Sequence, residues 1–443
     1  MNRFRKLFGL LGILLILSGC GAEGEMPREI RGEKIPAGTS GEETGKERGT
    51  VEAGGSGDEN EIGEEIGKEG RIPEEADTGE EGGASEETGT SGQADDDTVS
   101  IRMVGDILLH TPVEEACRQE DGTYDYSAIF AHTEELIREA DIALVNQEVI
   151  IGGTELGISG YPAFNASQDL MEDLADAGFD VICHATNHAL DKGGRGIRNT
   201  LSGWESRYPD LTILGIHDSA SDQDTVEILE VNGIRIAFLN YTYGTNGIDL
   251  PSDMPYAVDL LEKSRVTEDL AYAEEHADFT VVCPHWGTEY RLQHSQDQEN
   301  WSRIFLEGGA DLVLGTHPHV IQEIDKMEDE EHEMLIYYSL GNFVNWTSGT
   351  GAGVADRMLG GMADVTIRRE EDGEVAIAEY GVIPLVCHVT SGAGGVTVYP
   401  LYEYTDALGA ENEITAQDPD FSAAYCRDLA EEVWGLLGHV GPE

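Results

Sequence analysis

The chain has 443 residues and carries 87 Asp and Glu against 27 Lys and Arg, a formal net charge of −60 at pH 7. A surface of that sign repels nucleic-acid phosphates and anionic headgroups, which disfavours nucleic acid as a partner and means that an anionic substrate needs bound cations to offset the field. The six cysteines show no C-x-x-C spacing; beside Cys20, the remaining Cys117, Cys183, Cys283, Cys387 and Cys426 are odd in number, which argues against a disulfide framework.

The chain opens on basic "MNRFRK", followed by the apolar "LFGLLGILLIL" and then Leu17-Ser18-Gly19-Cys20. About a dozen apolar residues is shorter than the roughly 20 that cross a bilayer, so the run reads as a secretory signal over residues 1–20. The four residues at its end resemble the bacterial lipobox, which implies lipidation of Cys20 and a protein anchored to the outer face of the cell membrane. Residues 21–97 are rich in Gly, Glu, Ser and Thr, with almost no aromatic residues. Such a segment cannot bury enough apolar surface to offset the entropy of ordering it, and a disordered acidic tether is expected.

From residue 98 the texture changes. "VSIRMVG", "DIALVNQE", "DVICHATNH", "IRIAFLNY", "DFTVVCPHWG", "DLVLGTHPH" and "MLIYYSLGNF" read as strands, and helical periods such as "SQDLMEDLADAGF" and "SRVTEDLAYAEEHA" fall between them. That alternation predicts an α/β domain over residues 98–390 with a largely parallel central sheet. Residues 391–443 form a C-terminal extension in which edge strands and an amphipathic helix, "FSAAYCRDLAEEVWGLLGHV", are expected to pack.

Polar residues gather where strands run out: Asp106 after "IRMVG", Glu148 after "IALVNQ", Asn187 and His188 after "DVICHAT", His285 after "TVVCP", and His317 with His319 after "DLVLGT". Ligands of α/β sheets bind at the carboxyl ends of strands. Each of these residues alone has an ordinary explanation as a turn or capping residue, but together they make a ligand set. Carboxylate, amide oxygen and imidazole suit divalent manganese, zinc or iron, and a bridging carboxylate with three histidines and an asparagine suits two such ions about 3.5–4 Å apart. His188 is then a candidate proton donor to a leaving group, with Asp191 holding its tautomer.

"VGDILLH", "NQEVIIGG", "ATNHALDKGG", "PHWGTEY", "GTHPHVIQ" and "YSLGNFV" resemble, in order, the signature blocks of CapA-type poly-γ-glutamate capsule synthesis proteins, from about Val99 to Pro384. That family looks like a branch of the calcineurin-like metallophosphoesterases, which implies a sandwich of β-sheets flanked by helices. Carried across, Asp106 matches the first metal aspartate, Glu148 a bridging carboxylate, Asn187, His285, His317 and His319 the remaining ligands, and His188 the general acid. The superfamily's histidine two residues after the aspartate is replaced by Leu108, and His110 is displaced. Trp286, Glu289 and Tyr290 are expected to shape a substrate cleft, with a core role for Trp286 as the alternative. Asn342 either lines the site or secures a turn.

The resemblance implies a surface-anchored hydrolase that makes, exports or anchors poly-γ-glutamate. The alternative is a metal-bearing scaffold that binds this anionic extracellular polymer or its membrane synthase. If Cys20 carries the anchor, Cys20→Ala should move the protein from the membrane fraction to the soluble one, and unchanged sedimentation with membranes would refute lipidation there.

Overall fold

A computed structural model describes residues 97–435 apart from 331, 347, 348, 350–352, 391 and 393. Cys20 and residues 21–96 of the expected tether lie outside the described residues. In chain order the strands are β1 (Thr98–Ile107), β2 (Ile142–Asn146), β3 (Val181–Cys183), β4 (Thr212–Leu214), β5 (Glu227–Val231), β6 (Ile234–Thr242) and β7 (Phe279–His285). They continue as β8 (Leu312–Leu314), β9 (Ile324–Glu328), β10 (Glu333–Tyr337), β11 (Asn342–Val344), β12 (Leu359–Arg369), β13 (Val375–Val389) and β14 (Val396–Pro400).

These strands form two sheets, ordered β14-β13-β12-β1-β2-β3-β4, with β11 beside the end of β1, and β5-β6-β7-β8-β10-β9. Each sheet has a parallel heart, β1 to β4 in one and β6-β7-β8-β10 in the other, with antiparallel strands added at its margins. The single largely parallel sheet expected from the alternation of elements is therefore replaced by two mixed sheets with helices on them, the sandwich that the family resemblance implied. Alternation of strands and helices reports parallel crossovers but does not say which sheet each strand joins.

Side-chain period explains why two sheets form. In β6, Ile236 and Phe238 face the main core while Leu239 and Tyr241 face a second cluster; in β8, Leu312 and Leu314 divide from Val313 in the same way. Successive residues of a strand point to opposite faces, so one face packs against the partner sheet and the other against helices. Val266 and Leu270 of helix Lys263–His276 and Phe305 of helix Gln296–Glu307 supply that outer layer. The second of these helices starts with a capping box: Ser295 Oγ accepts from the Gln298 amide and Gln298 Oε1 accepts from the Ser295 amide. Across the sandwich, the Tyr337 hydroxyl donates to the Gly381 carbonyl at 2.7 Å.

Strand β2, "IALVN", is buried along its whole length, as a strand covered on both faces must be. The outward residues of β1 are partly exposed, and Arg102 there pairs across the ladder with Asp364 at 2.9 Å. β5 and β6 join through Asn232-Gly233, both with positive φ (51° and 73°), the pairing a tight hairpin turn favours. At the other end of the chain, β14 pairs with β13 at the margin of the first sheet, and helix Ala423–Trp434 buries Cys426, Leu429 and Trp434. The Trp434 indole donates to the Gln322 carbonyl, which ties this last helix to the turn after β8.

Beyond β4, His217 sits between two carboxylates, with Nε2 2.7 Å from Asp259 and Nδ1 3.1 Å from Asp222. Burial disfavours the imidazolium, but these hydrogen bonds and charges outweigh it and raise the pKa from 6.5 to about 9. A group whose pKa rises on folding adds stability that is full below its unfolded pKa and lost as pH rises through the folded one. His217→Gln should therefore cost roughly 2–3 kcal/mol at pH 6 and little above pH 9.5. Urea unfolding of both proteins across that range checks the sign, and an equal cost at both pH values would contradict it.

Candidate metal centre

The carboxyl ends of β1, β2, β3, β7 and β8 meet at one edge, where the two sheets face each other. Asp106 is the penultimate residue of β1 and is fully buried; its backbone amide donates to the Gly341 carbonyl at 3.0 Å. That approach requires Gly105, because a Cβ there would stand 1.9 Å from the Gly341 oxygen. Asn146 Nδ2 donates to Asp106 Oδ1 at 2.8 Å, and the His317 amide lies 3.3 Å from both Asp106 oxygens. His319 Nδ1 is 3.1 Å from Asp106 Oδ2 and also 3.1 Å from Asn342 Oδ1.

Glu148 lies two residues beyond β2 and is fully buried, and neither carboxylate oxygen has a hydrogen-bond partner. Its Oε1 stands 3.7 Å from His285 Nε2 and 3.7 Å from His319 Nε2. His285 Nε2 is also 3.0 Å from Asn187 Oδ1, and its Nδ1 is 3.0 Å from Thr316 Oγ1. The His317 ring lies 4.8 Å from that of His285, and its buried Nδ1 has no partner.

The backbone at this edge is unusual. His317 and His319 have φ of 97° and 58° on either side of Pro318, and Tyr290 and Asn246 have φ of 63° and 52°. Left-handed backbone costs a residue with a Cβ about 1–3 kcal/mol and tends to gather where function requires it. Here it turns both imidazoles of the "HPH" turn inward, while the Tyr290 amide donates to the Pro318 carbonyl at 2.7 Å and latches the "HWGTEY" loop onto that turn.

Three overlapping groups of ligating atoms result, each with its atoms within 4.8 Å of one another: Glu148 with His285 and His317; Asp106 with Glu148 and His319; and Glu289 with His317 and His319. The donor set fits divalent cations. Burial pushes the Glu148 carboxyl well above its usual range, and burial, helped by the neighbouring imidazoles, holds His285 and His317 well below theirs. Burial also disfavours a charge on His319, yet Glu148 and Asp106 raise its pKa to about 9. A carboxylate without a hydrogen-bond donor, beside His285 and His317 held neutral by burial, is an arrangement that a bound cation stabilises.

A cleft of about 760 Å³ opens over this cluster, lined by Asn187, His188, Asp191, Glu289, Tyr290 and His319, and also by Leu108, His110, Asn246 and Arg357. His188 Nδ1 lies 2.7 Å from Asp191 Oδ2, which also accepts from the Phe164 amide at 2.7 Å. Leu108 faces the cleft with no ligating atom, and burial lowers the pKa of His110 to about 4, its ring packed edge-on against Phe164 rather than within any of the three groups. The exposed Glu289 carboxylate reaches His317 and His319 instead, so its place is beside the ligands as well as in the cleft.

Two expectations need correction. Trp286 does not shape the cleft: it is 1% exposed in the core, its indole donates to the Tyr338 carbonyl at 3.0 Å, and it packs on Phe305. An odd residue of a strand continuation points away from its even neighbour, so His285 inward places Trp286 toward the helices. Asn342 does not line the cleft either. Its Nδ2 donates to the carbonyls of His319 and Arg357, at 2.9 and 3.0 Å, and so holds the His317–His319 turn in place. Sequence reasoning missed Asn246, whose Oδ1 accepts from Asn187 Nδ2 at 3.3 Å, and Tyr243, whose ring lies 4.6 Å from that of His317. The turn dipeptide Asn246-Gly247 was the one available signal, and it carries no information about what the turn faces.

Fold and site together define an α/β sandwich with a buried carboxylate–imidazole cluster at its strand ends. Residues 100–347, more than half of the chain, match the family model described as bacterial capsule synthesis protein PGA_cap, and the chain belongs to that family. It is 31% identical over 268 residues to the PGA biosynthesis protein CapA of Bacillus subtilis (strain 168), which is 57% of this chain and 65% of that protein. The capsule biosynthesis protein CapA of Bacillus anthracis is 28% identical over 269 residues, 57% of this chain and 62% of that protein. The match therefore spans less than two thirds of either relative.

Among solved structures, a putative 5′-nucleotidase from Staphylococcus aureus in complex with alpha-ketoglutarate is similar at 14% identity and a TM-score of 0.40, over 65% of this chain and 54% of that one. The Haemophilus influenzae NAD nucleotidase is similar at 12% identity and 0.41, over 65% and 58%. At these values neither likeness fixes a reaction for this chain.

If Glu148 awaits a cation, Glu148→Gln should raise the melting temperature of metal-stripped protein and abolish the rise that manganese gives the wild type, about 3 kcal/mol at a hundredfold excess over Kd. His188→Ala should keep its metal. Calorimetry with metal analysis checks both, and loss of metal from His188→Ala would show that His188 acts as a ligand.

Proposed function

We propose that this chain is a metal-dependent hydrolase of capsule synthesis, exposed outside the cell on a lipid anchor at Cys20, that cleaves a phosphoester or a γ-glutamyl amide during synthesis, export or anchoring of poly-γ-glutamate. The observation that carries this reading is the pairing of an unsatisfied buried Glu148 among imidazoles with a His188–Asp191 dyad on the wall of the cleft above it. Asp106, Glu148, Asn187, His285, His317 and His319 would hold two divalent ions, with Glu289 supplying a carboxylate where Leu108 offers none. Bound there, the ions would activate water and stabilise negative charge on the substrate.

The remaining work falls to the chain. Asp191 fixes the His188 ring through Nδ1, which leaves Nε2 to act as acid. As water adds to phosphorus or to the carbonyl carbon, the bond to the leaving group breaks, and the departing oxygen or nitrogen takes the proton from His188 Nε2. The Phe164 ring, 4.6 Å from that of His188 and edge-on, shields the dyad from solvent. Tyr161, 76% exposed, stands at the mouth, where an extended substrate would enter.

The replacement of the expected histidine by Leu108 favours a second reading, a non-catalytic metal-bearing scaffold for the polymer or its synthase. A scaffold has no need of an acid beside the metal, and the dyad supports the hydrolase. Manganese-loaded protein should hydrolyse bis(p-nitrophenyl) phosphate or γ-glutamyl-p-nitroanilide, and His188→Ala should lower kcat by about 10²–10⁴. Full metal occupancy with no turnover of either compound would establish the scaffold.

A further inference from the structure

Arg357 stands out against the charge of the molecule. In a chain with 87 acidic residues, Arg102, Arg235, Arg265 and Arg369 each take a carboxylate. Arg357 takes none among the described residues, although it lines the same cleft as Glu289 and Asp191. Its guanidinium lies 3.6 Å from the centroid of the Tyr290 ring, and its Nε is buried without a hydrogen-bond partner. A buried donor left unpaired costs about 1–3 kcal/mol, and a fold with so many carboxylates had the means to satisfy it.

The placement is also constrained. Asn342 Nδ2 joins the Arg357 carbonyl to that of His319, and the Tyr290 ring lies 5.9 Å from the ring of His319. Guanidinium, phenol and ligand imidazole thus form a row leading from the cleft mouth to the metal-ligand cluster. Stacking on an aromatic face leaves the in-plane N–H groups of an arginine free, and their fork matches two oxygens of one anion. No other Lys or Arg lines this cleft among the described residues.

We propose that Arg357, stacked on Tyr290, is a specificity residue that takes an oxyanion of the substrate, a carboxylate or a phosphate, in a two-point hydrogen bond next to the hydrolytic centre. The assignment rests on the proposed hydrolase site for what happens beside it, but anion capture itself is measurable without turnover. In an otherwise acidic cleft, one such cation selects substrates that carry a second negative group a short distance from the scissile bond.

Isothermal titration of manganese-loaded full-length protein with a trimer of γ-linked glutamate, with the α-methyl ester of that trimer, and with inorganic phosphate tests this. The wild type should prefer the free acid to the ester, or should bind phosphate if that is the natural oxyanion. Arg357→Ala should weaken the preferred anion by about ten- to a hundredfold with metal content and melting temperature unchanged, and Arg357→Lys should recover only part of the loss. Loss confined to the trimer assigns a carboxylate, and loss confined to phosphate assigns a phosphate. Equal binding of every anion by Arg357→Ala and wild type overturns the proposal, as does a wild type that binds none of the probes or binds acid and ester alike without binding phosphate. Should Arg357→Ala not fold, the acid-to-ester comparison on the wild type and the Arg357→Lys variant still decide. Absence of turnover alongside Arg357-dependent binding would remove the hydrolase and leave the anion site standing.

Discussion

A carboxylate sealed from water with no donor to answer it is among the least favourable groups a fold can hold, and Glu148 is such a group. His285, His317 and His319 lie around it and are buried too, and His317 Nδ1, like both Glu148 oxygens, has no hydrogen-bond partner. Attraction between such groups offsets desolvation only when the remaining lone pairs find partners. The donor set suits a bound cation, and the strand-end geometry is what brings these groups together.

Two sheets, rather than one, are what make that construction possible. Asp106, Glu148 and Asn187 come from the first sheet, and His285, His317 and His319 from the second. The sheets must approach closely at this edge, which the contact between Gly105 and the Gly341 carbonyl allows. The left-handed residues Asn246, Tyr290, His317 and His319 then aim side chains that ordinary turns would send to solvent. Asn342 and Asn146 carry no proposed chemistry, yet they hold His319 and Asp106 in place, and a metal site depends on such supporting bonds as much as on its ligands.

The acidity of the chain bears on what the cleft can receive. Repulsion of an anion by so acidic a chain is relieved where positive charge is concentrated, and Arg357 brings such a charge to the cleft. Membership in the PGA_cap family gives that contrast its setting, since a family of capsule synthesis works around charged polymer. The exposed tyrosines that line it, Tyr161 and Tyr290, add aromatic surface, and the Tyr290 face carries the Arg357 guanidinium.

The sequence by itself determined the α/β character and the residues that end each strand, because a two-residue period and a change from apolar to polar are local signals. Asp106, Glu148, Asn187, His285, His317 and His319 were legible for that reason, as was the His188–Asp191 pairing, only three positions apart. The tertiary structure alone decided how strands divide between two sheets, that Trp286 packs toward the helices while His285 faces the cluster, and that Asn342 holds His319. It alone placed Arg357 on Tyr290 and brought Glu289 to the histidines. Those outcomes depend on contacts between segments far apart in the chain, and on which face of a strand meets the partner sheet, so no local pattern encodes them.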